Sequence, residues 1–362
     1  MRIAIGIGGA ASGRTNNFKD QVDFVRQAER LGVDVVWSAE AWGQDAVVPL
    51  AYLAAVTERM QLGSGIMQIS ARVPSMTAMT AMTLATVSNN RFLLGLGASG
   101  PQVVEGLNGA AFARPLERLR EHVDIVRLAF AGEKLVYHGN QYVLPRPGGE
   151  GKALRLAQPT NPHIPIYLAT LGPRALRYTG EVADGWLGTS FVPEAAEVLL
   201  GPIAQGAAAA GRNLSSLDLQ AGGSVAFGDR GQLLDRFRPG VAFPIGAMGS
   251  ENSNFYREAF IRAGFGDDCA EIAQLWRDGR RDEAVARVPD QMVIGTTLVG
   301  EDAEVSERIR AYRRAGITTL RVQPEGNSPT QRLDTLARVV DLVRAEAPTV
   351  PVPDGAPGGA PA

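Results

Sequence analysis

The chain has 362 residues, 45% of them hydrophobic and 20% charged, and its formal net charge is −2. This length suits one α/β barrel with insertions, and the near-neutral charge gives no electrostatic reason to expect a nucleic acid or an anionic membrane as a partner. Cys269 is the only cysteine, which excludes a disulfide framework within the chain. The apolar N-terminal run is too short for a secretory signal, and no apolar stretch reaches the ~18 residues of a membrane-spanning helix. We therefore expect a cytoplasmic protein.

Short apolar strands alternate with amphipathic helices along the first hundred residues. The first predicted strand is RIAIGIG at 2–8, and the helix after it carries apolar residues from Phe18 to Leu31 on one face and ends at Gly32. The next predicted elements are a strand at 33–38, a helix at 45–60, a strand at 61–67, a helix that ends at Ser88, and a strand at 91–97.

The third helix has an unusual composition, because threonine and methionine each recur every third residue in SMTAMTAMTL. The helical period puts six residues in one stripe, namely Met76, Met79, Thr80, Thr83, Leu84 and Val87. Methionine fills irregular gaps in protein cores. We therefore expect this stripe to pack against the barrel and not to enter a membrane.

The alternation continues in the second half of the chain. Pro115 stands at a position that proline favours at the start of a helix, and a β-hairpin is predicted over 134–144. The later predicted elements are strands at 164–170, 184–190, 217–228 and 318–324, helices at 172–183 and 303–317, and inserted helices between 250 and 290.

This order of elements predicts the fold class. Strand–helix alternation over such a length, without a Gly-x-Gly-x-x-Gly turn after a strand, favours an α/β (β/α)₈ TIM barrel over a doubly wound sheet. The hairpin and the extra helices are then insertions. We expect one domain over residues 1–346 and a disordered tail, rich in proline and glycine, at 347–362.

Functional residues of such barrels lie in the loops at the C-terminal ends of the strands. Leu171 and Gly172 follow the fifth strand at a helix N-terminus, where free N–H groups and the helix dipole suit a phosphate. Thr189 and Ser190, after the sixth strand, offer hydroxyl contacts, although a simple capping turn explains the same sequence. The loop GASGPQ after the fourth strand lets a flat ligand approach the backbone, and turn chemistry alone also accounts for it.

Groups suited to acid–base or metal chemistry are sparse. His122, His138 and His163 lack the spacing of metal ligands, so no metal site is expected, and neither a Gly-x-Ser-x-Gly elbow nor a P-loop is present. Glu40 is the one carboxylate in the loop after the second strand. It is either a solvated or salt-bridged loop residue or an acid–base group. A barrel with so few such groups at its mouth suggests that a cofactor carries the chemistry.

Five segments occur in an order and at a spacing typical of one known family. They are VWSAEAWGQDA, GSGIMQISARVPSMTAMTAMTL, NRFLLGLGASGPQVVEG, IPIYLATLGPRAL and ADGWLGTS. Together they resemble the luciferase-like monooxygenase superfamily, and within it the branch that uses the deazaflavin coenzyme F420. The later segment MGSENSNFY is similar to a loop of actinobacterial members. The resemblance covers nearly the whole chain up to the tail.

The resemblance implies a (β/α)₈ barrel that binds the deazaflavin at its C-terminal mouth. It implies a non-prolyl cis peptide at Gly65–Ile66, next to Met67, behind the ring. Contacts to the ring edge and the cofactor side chain are implied for Ser99, Gly100 and Gln102. The implied phosphate site consists of Thr170, Leu171, Gly172, Thr189 and Ser190.

The sequence also departs from the family pattern. Some members carry a glutamate near the end of the first strand, where this chain has Gly6 and Gly8, and others carry an Asp-His pair where this chain has Ala39 and Glu40. These departures argue against methanopterin reduction and against sugar-phosphate dehydrogenation.

The leading hypothesis is an F420-dependent oxidoreductase that transfers a hydride between C5 of the deazaflavin and an apolar organic substrate. Glu40 is its candidate catalytic residue, and the residues expected to line the substrate pocket are Trp42, Phe191, Met248 and Phe255. An FMN-dependent monooxygenase and a non-catalytic barrel that binds a phosphorylated ligand remain alternatives. Because barrels of this family commonly pair through their early helices, a homodimer is expected.

Overall fold

The computed structural model describes residues 1–8, 17–250 and 253–346. Its strands are β1 (Arg2–Gly8), β2 (Val35–Ala39), β3 (Gln61–Ser64), β4 (Met67–Gln68), β5 (Phe92–Gly97), β6 (Tyr137–His138), β7 (Val143–Leu144), β8 (Ile166–Leu168), β9 (Gly185–Leu187), β10 (Asp218–Phe227), β11 (Leu298–Gly300) and β12 (Thr319–Pro324). Its helices are α1 (Phe18–Leu31), α2 (Val47–Val56), α3 (Pro74–Val87), α4 (Pro101–Val104), α5 (Pro115–Phe130), α6 (Pro173–Val182), α7 (Glu197–Ala209), α8 (Arg230–Gly246), α9 (Phe255–Arg262), α10 (Gly266–Arg277), α11 (Arg281–Ala286), α12 (Asp290–Thr296), α13 (Asp302–Arg314) and α14 (Pro329–Ala345).

Eight parallel strands close into a barrel, which confirms the predicted fold. Around the ring they follow chain order as β1, β2, β3, β5, β8, β9, β10 and β12, and β12 pairs with β1 to complete the closure. Helices separate the strands and cover the outside, as apolar strands buried on both faces require. The predicted tail at 347–362 lies outside the described residues.

The elements agree with the sequence pattern in most places and differ in three. The predicted strand 61–67 is divided into β3 and β4 by the cis peptide Gly65–Ile66, which confirms the expected bond. The short strand β11 pairs with β10 outside the ring and was not expected. The pattern also did not single out α4, α7, α8, α12 and α14. The hairpin β6–β7 and inserted helices within the predicted range, α9–α11, are present as predicted.

Aromatic side chains close the interior of the barrel below its mouth. Trp37 on β2 packs edge-on against Tyr167 on β8, with ring centroids 5.2 Å apart, and its Nε1 donates to Oε1 of Gln220 at 2.9 Å. Below them the Tyr167 hydroxyl donates to Asp218, which also forms an ion pair with Arg2. The barrel is therefore a packed core up to this level and open only above it.

The third helix is present as predicted, but the prediction of which of its faces packs against the barrel was wrong. Met76, Met79 and Val87 are 48%, 41% and 52% exposed, and of the expected stripe only Leu84 is buried. The face that meets the barrel consists mainly of small residues, which are Thr77, Ala78, Ala81 and Ala85, together with Met82. Helix α3 has no charged residue. Its sequence therefore has no polar face, and the helical period alone does not show which side is buried.

Two glycines set the close packing of α6 against α7. A Cβ at Gly180 would overlap the carbonyl oxygen of Ile203, and a Cβ at Gly206 would overlap that of Arg177. The backbones of the two helices therefore touch, and this contact fixes the direction in which the N-terminus of α6 points. Among the described helices, none is long and apolar enough to cross a membrane.

Replacing Gly180 by alanine is expected to lower the free energy of unfolding by ~1–3 kcal/mol, because the new methyl group overpacks the contact with α7. Gly240→Ala is the matched control, since Gly240 is also helical but exposed, and its Cβ would meet open space. The control is expected to gain ~0.5–1 kcal/mol from helix propensity. Urea denaturation of both variants measures the difference, and equal effects would contradict the packing described here.

Candidate active site

A cavity of about 1240 Å³ opens at the C-terminal ends of the barrel strands. Inward positions near these ends carry small residues, among them Ala39, Gly65, Gly97, Ala169 and Thr189, all of which line the cavity. Such side chains cannot fill the barrel above Trp37. The sequence thus leaves space for a ligand where larger residues would have extended the core.

The break between β3 and β4 forms one wall of the cavity. A Cβ at Gly65 would lie 3.0 Å from Cβ of Trp37, and a Cβ at Gly97 would overlap the Ile66 side chain. Ile66 therefore lies over Gly97 and presents an apolar surface to the cavity. Such a surface can support one face of a flat ring.

The loop after β5 forms the adjoining edge. Ser99 adopts a left-handed backbone conformation with φ of 60°, and Gly100 caps the short helix α4. Ser99, Gly100 and Gln102 all line the cavity, next to the wall formed by Ile66. This arrangement lets the edge of a ring meet backbone and amide groups at close range.

The N-terminus of α6 faces the same cavity. Thr170, Leu171 and Gly172 line it, and Gly172 is the N-cap, with no side chain to accept from the first N–H groups of the helix. A Cβ at Gly172 would meet nothing within 4 Å, so the space before this terminus is open. Open space, N–H donors and the positive end of the dipole suit a phosphate. Arg174 and Thr189 line the cavity as well.

Glu40 lines the cavity, but donors already surround its carboxylate. Arg72 forms an ion pair with Oε1 at 2.5 Å, and the backbone N–H groups of Gln68 and Ala46 donate to the two oxygens at 3.2 and 3.3 Å. The side chain is only 9% exposed. Amide Nε2 of Gln68 also donates to the carbonyl oxygens of Glu40 and Ala41. Glu40 therefore holds the loop after β2 against β4 and the turn that precedes α3.

Three predicted site residues do not line this cavity. Met67 is fully buried in the core, and Ser190 turns the chain away from the mouth with φ of 51°. After that turn Phe191 packs against Trp186 and Tyr312, with ring centroids 6.0 and 5.8 Å away. Phe191 was therefore wrongly expected in the substrate pocket. The other three expected pocket residues, Trp42, Met248 and Phe255, do line the cavity.

Apart from Glu40, the sequence analysis missed most of the charged residues of the site. Five arginines and three glutamates line the cavity, which are Arg114, Arg120, Arg174, Arg177, Arg321, Glu40, Glu117 and Glu181. Those from α5 and α6 form an outer cleft that could not be foreseen, because it depends on how the two helices pack. Arg321 did leave a signal, since it is a charged residue at an inward position of the predicted strand TTLRVQP.

Histidine and metal chemistry play no visible part in the described site. His122, on α5, is buried against α3 and the hairpin, where its ring nitrogens lie 3.0 Å from Oγ1 of Thr77 and 3.5 Å from the Tyr142 hydroxyl. Burial lowers the pKa of His122 to about 3, so the ring is neutral and structural. Within the described ranges, no group of three His, Cys, Asp or Glu side chains could hold a metal ion.

Comparison with known proteins gives consistent similarities. Residues 2–319 match the family model described as luciferase-like monooxygenase. A Mycobacterium tuberculosis protein named "putative coenzyme F420-dependent oxidoreductase" is 38% identical over 311 residues, which cover 83% of this chain and 90% of the relative. An F420-dependent glucose-6-phosphate dehydrogenase of Kineococcus radiotolerans is 28% identical, with coverage of 89% and 92%.

A solved structure supports the fold assignment. The coenzyme F420-dependent tetrahydromethanopterin reductase of Methanopyrus kandleri superimposes with a TM-score of 0.77 at 22% identity, over 95% of this chain and 98% of that one. At this identity the likeness concerns the fold alone. The family match, by contrast, spans most of the sequence, from β1 to the start of β12. The chain therefore belongs to the luciferase-like monooxygenase family.

Proposed function

We propose that this protein is an oxidoreductase that uses the deazaflavin coenzyme F420 and transfers a hydride between C5 of the ring and an apolar organic substrate. The observation that carries the proposal is that one cavity joins the apolar wall at Gly65–Ile66 to the open N-terminus of α6 at Gly172. A flat ring bearing a phosphorylated side chain fits that combination. The names of the relatives from Mycobacterium tuberculosis and Kineococcus radiotolerans favour F420 as the cofactor.

The residues of the chain would divide the binding between them. Gly65 and Ile66 would support one face of the ring, and Ser99, Gly100 and Gln102 would meet its edge and side chain. The phosphate would lie against the backbone of Thr170, Leu171 and Gly172, near the hydroxyl of Thr189. When bound, the deazaflavin supplies a carbon centre that accepts or donates a hydride, and the protein orients it and excludes water.

The remaining wall of the cavity suits the body of an organic substrate. Trp42, Met248 and Phe255 line it from the loop after β2 and from the inserted region. Apolar side chains around a few polar groups are typical of small-molecule sites. These residues would cover the substrate and exclude water from the face of the ring that transfers the hydride.

Two alternatives use the same barrel. The family model is that of luciferase-like monooxygenases, which favours an FMN-dependent monooxygenase as the second candidate, because FMN also combines a flat ring with a phosphate. A barrel that binds a phosphorylated ligand without turnover is the third. Difference spectra with F420 and with FMN separate the first two, and a substrate panel that gives no redox change in the cofactor-loaded protein would favour the third.

Gly172→Glu is expected to lower F420 affinity at least tenfold, because it puts a carboxylate where the phosphate would lie. Loss of one hydrogen bond to a charged group corresponds to ~1.5–3 kcal/mol. Spectroscopic titration of the purified proteins measures the dissociation constants. Gly240→Glu is the control, since it adds the same charge at an exposed helical position. A folded Gly172→Glu variant with wild-type affinity would show that the phosphate binds elsewhere.

Glu40 remains our candidate for the group that orients substrate or relays the proton accompanying hydride transfer. Among the carboxylates that line the cavity it is the one at a strand end, whereas Glu117 and Glu181 belong to α5 and α6. Its contacts with Arg72 and two backbone N–H groups also support a positioning role. The two roles differ in how they respond to loss of Arg72.

Glu40→Gln is expected to bind the cofactor within a few-fold of wild type and to turn over at least ~100-fold more slowly, in the range typical of positioned proton transfer. Turnover is measured with any panel substrate that the wild type converts. Arg72→Met removes the ion pair and keeps the carboxylate. A matching loss of kcat in Arg72→Met identifies Glu40 as a positioning residue, whereas turnover near wild type in Glu40→Gln would rule out both roles.

We also propose that the protein forms a homodimer through α2 and α3. These helices pack side by side, and neither contains a charged residue. They expose apolar side chains, namely Val48, Tyr52, Met76, Met79 and Val87. Helices without a polar face are typical of buried positions, and a neutral surface meets its own copy without charge repulsion.

Sedimentation at micromolar concentration is expected to give a dimer for the wild type and a monomer for Met79→Glu, because the dimer would bury the new charge without a partner. Leu154→Glu is the control, since Leu154 is 75% exposed and lies outside α2 and α3. A monomeric wild type, or a Met79→Glu variant that still dimerises, would reject this interface.

A further inference from the structure

Arg321 lies inside the barrel mouth. In β12 it is paired with Ala4 of β1 and with Gly222 of β10, and its side chain lines the cavity. One guanidinium nitrogen donates to the carbonyl oxygen of Gly188 at 3.2 Å. Guanidinium carries five N–H donors in a fixed fork, so most of its donor capacity is left for a ligand.

The charge of Arg321 has no counter-ion in the described parts of the chain. The carboxylates that line the cavity are bound to other arginines: Glu40 to Arg72, Glu117 to Arg114, and Glu181 to Arg120 and Arg177. Burial lowers the pKa of Arg321 to about 10, which leaves the group cationic at neutral pH. A desolvated cation without a partner is unfavourable to folding.

Other arginines in this protein show how a partly or fully buried guanidinium is satisfied when it serves the fold. Arg91 donates to Thr57 Oγ1 and to the carbonyl oxygens of Ala54, Thr57, Met60 and Ser88.

Arg308, which is 7% exposed, forms an ion pair with Glu194 and also donates to the carbonyl oxygen of Gly295. Arg321 differs from both, because its partly buried guanidinium has a single protein acceptor and an open side toward the cavity.

We propose that Arg321 anchors an anionic oxygen of the ligand at the base of the cavity. Its planar fork matches a carboxylate, or two neighbouring oxygens that share a negative charge. The proposal refines the substrate class of the proposed oxidoreductase and rests on it: the substrate has an apolar body, which Trp42, Met248 and Phe255 contact, and an anionic end.

The position of β12 in the ring favours the substrate as the source of this oxygen. Strand β12 lies three strands from β3 and four from β5, so Arg321 stands on the far side of the barrel from the Gly65–Ile66 wall and the loop after β5, which would hold the cofactor ring. The reduced deazaflavin ring is the other source, because reduction leaves negative charge on it. Both the substrate and the reduced ring would present an anionic oxygen to Arg321, and two separate measurements distinguish them.

The first measurement uses cofactor-free protein with benzoate as the probe and benzyl alcohol as its neutral counterpart. Wild type is expected to bind benzoate more tightly than benzyl alcohol by calorimetry, and Arg321→Met is expected to lose at least tenfold in benzoate affinity. Arg120→Met is the matched control, since it removes one cation from the outer cleft. It is expected to keep benzoate affinity within twofold.

The second measurement compares oxidised and reduced F420. A loss of affinity in Arg321→Met that is confined to the reduced form assigns the anionic oxygen to the ring, whereas unchanged affinity for both forms with lost benzoate binding assigns it to the substrate. Arg321→Gln repeats both measurements with an uncharged donor for Gly188, should the methionine variant fail to fold.

The melting temperature distinguishes a ligand-binding arginine from one that stabilises the fold. Cofactor-free Arg321→Gln is expected to melt at or above the wild-type temperature, because the substitution removes an unpaired charge and no ion pair. If Arg321 stabilised the fold, the substitution would lower the melting temperature.

Unchanged affinity for both benzoate and reduced F420 in a folded variant would overturn the proposal. A protein that binds benzoate through Arg321 but binds no F420 would instead overturn the proposed cofactor and leave the anion site standing.

Discussion

The position of the site depends on the level at which side chains stop packing the interior of the barrel. A closed ring of eight strands must pack its own interior, and here Trp37, Tyr167 and Gln220 complete that packing in one layer. Above this layer the strands carry glycine, alanine and threonine, so the sheet continues while the core does not. The glycine at the break between β3 and β4 belongs to the same packing, because Trp37 occupies the space that a side chain at position 65 would need. The lower part of the barrel therefore forms the packed core, and the part above Trp37 leaves space for a ligand.

Most of the barrel strands and the backbone segments of the site could be predicted from the sequence, because each depends on neighbouring residues in the chain. Apolar runs followed by helical periods determine which strands line the barrel, and the open loop at Gly172 requires only a glycine before a proline. The cis bond at Gly65–Ile66 was expected through resemblance to the family and not from the residues themselves. The predicted cofactor site is formed mainly by backbone groups of short continuous segments, so its residues could be identified from the sequence.

The parts that could not be predicted depend on side-chain direction or on distant partners. For α3, the sequence supplied apolar residues on every side, so nothing in it distinguished the exposed methionines from the buried alanines. Phe191 follows a residue with positive φ, and that turn reverses the face on which it lies. The contact between Glu40 and Arg72 joins residues 32 positions apart, and no spacing rule anticipates it. In each case the direction of a side chain depends on packing, on a local turn or on a distant partner, none of which the helix and strand periods give.

The unequal charges around the cavity affect how a ligand arrives there. The chain as a whole is weakly negative, yet the walls of the mouth carry more arginines than glutamates. A concave, poorly solvated surface concentrates such a field. Anionic molecules are drawn toward the opening before any contact forms, while neutral ones of equal shape meet it by diffusion alone. Because salt screens this attraction over about 8 Å at physiological ionic strength, the contribution of this field is to the rate of arrival and is sensitive to salt, and it acts before the side chains inside the barrel select by shape and charge.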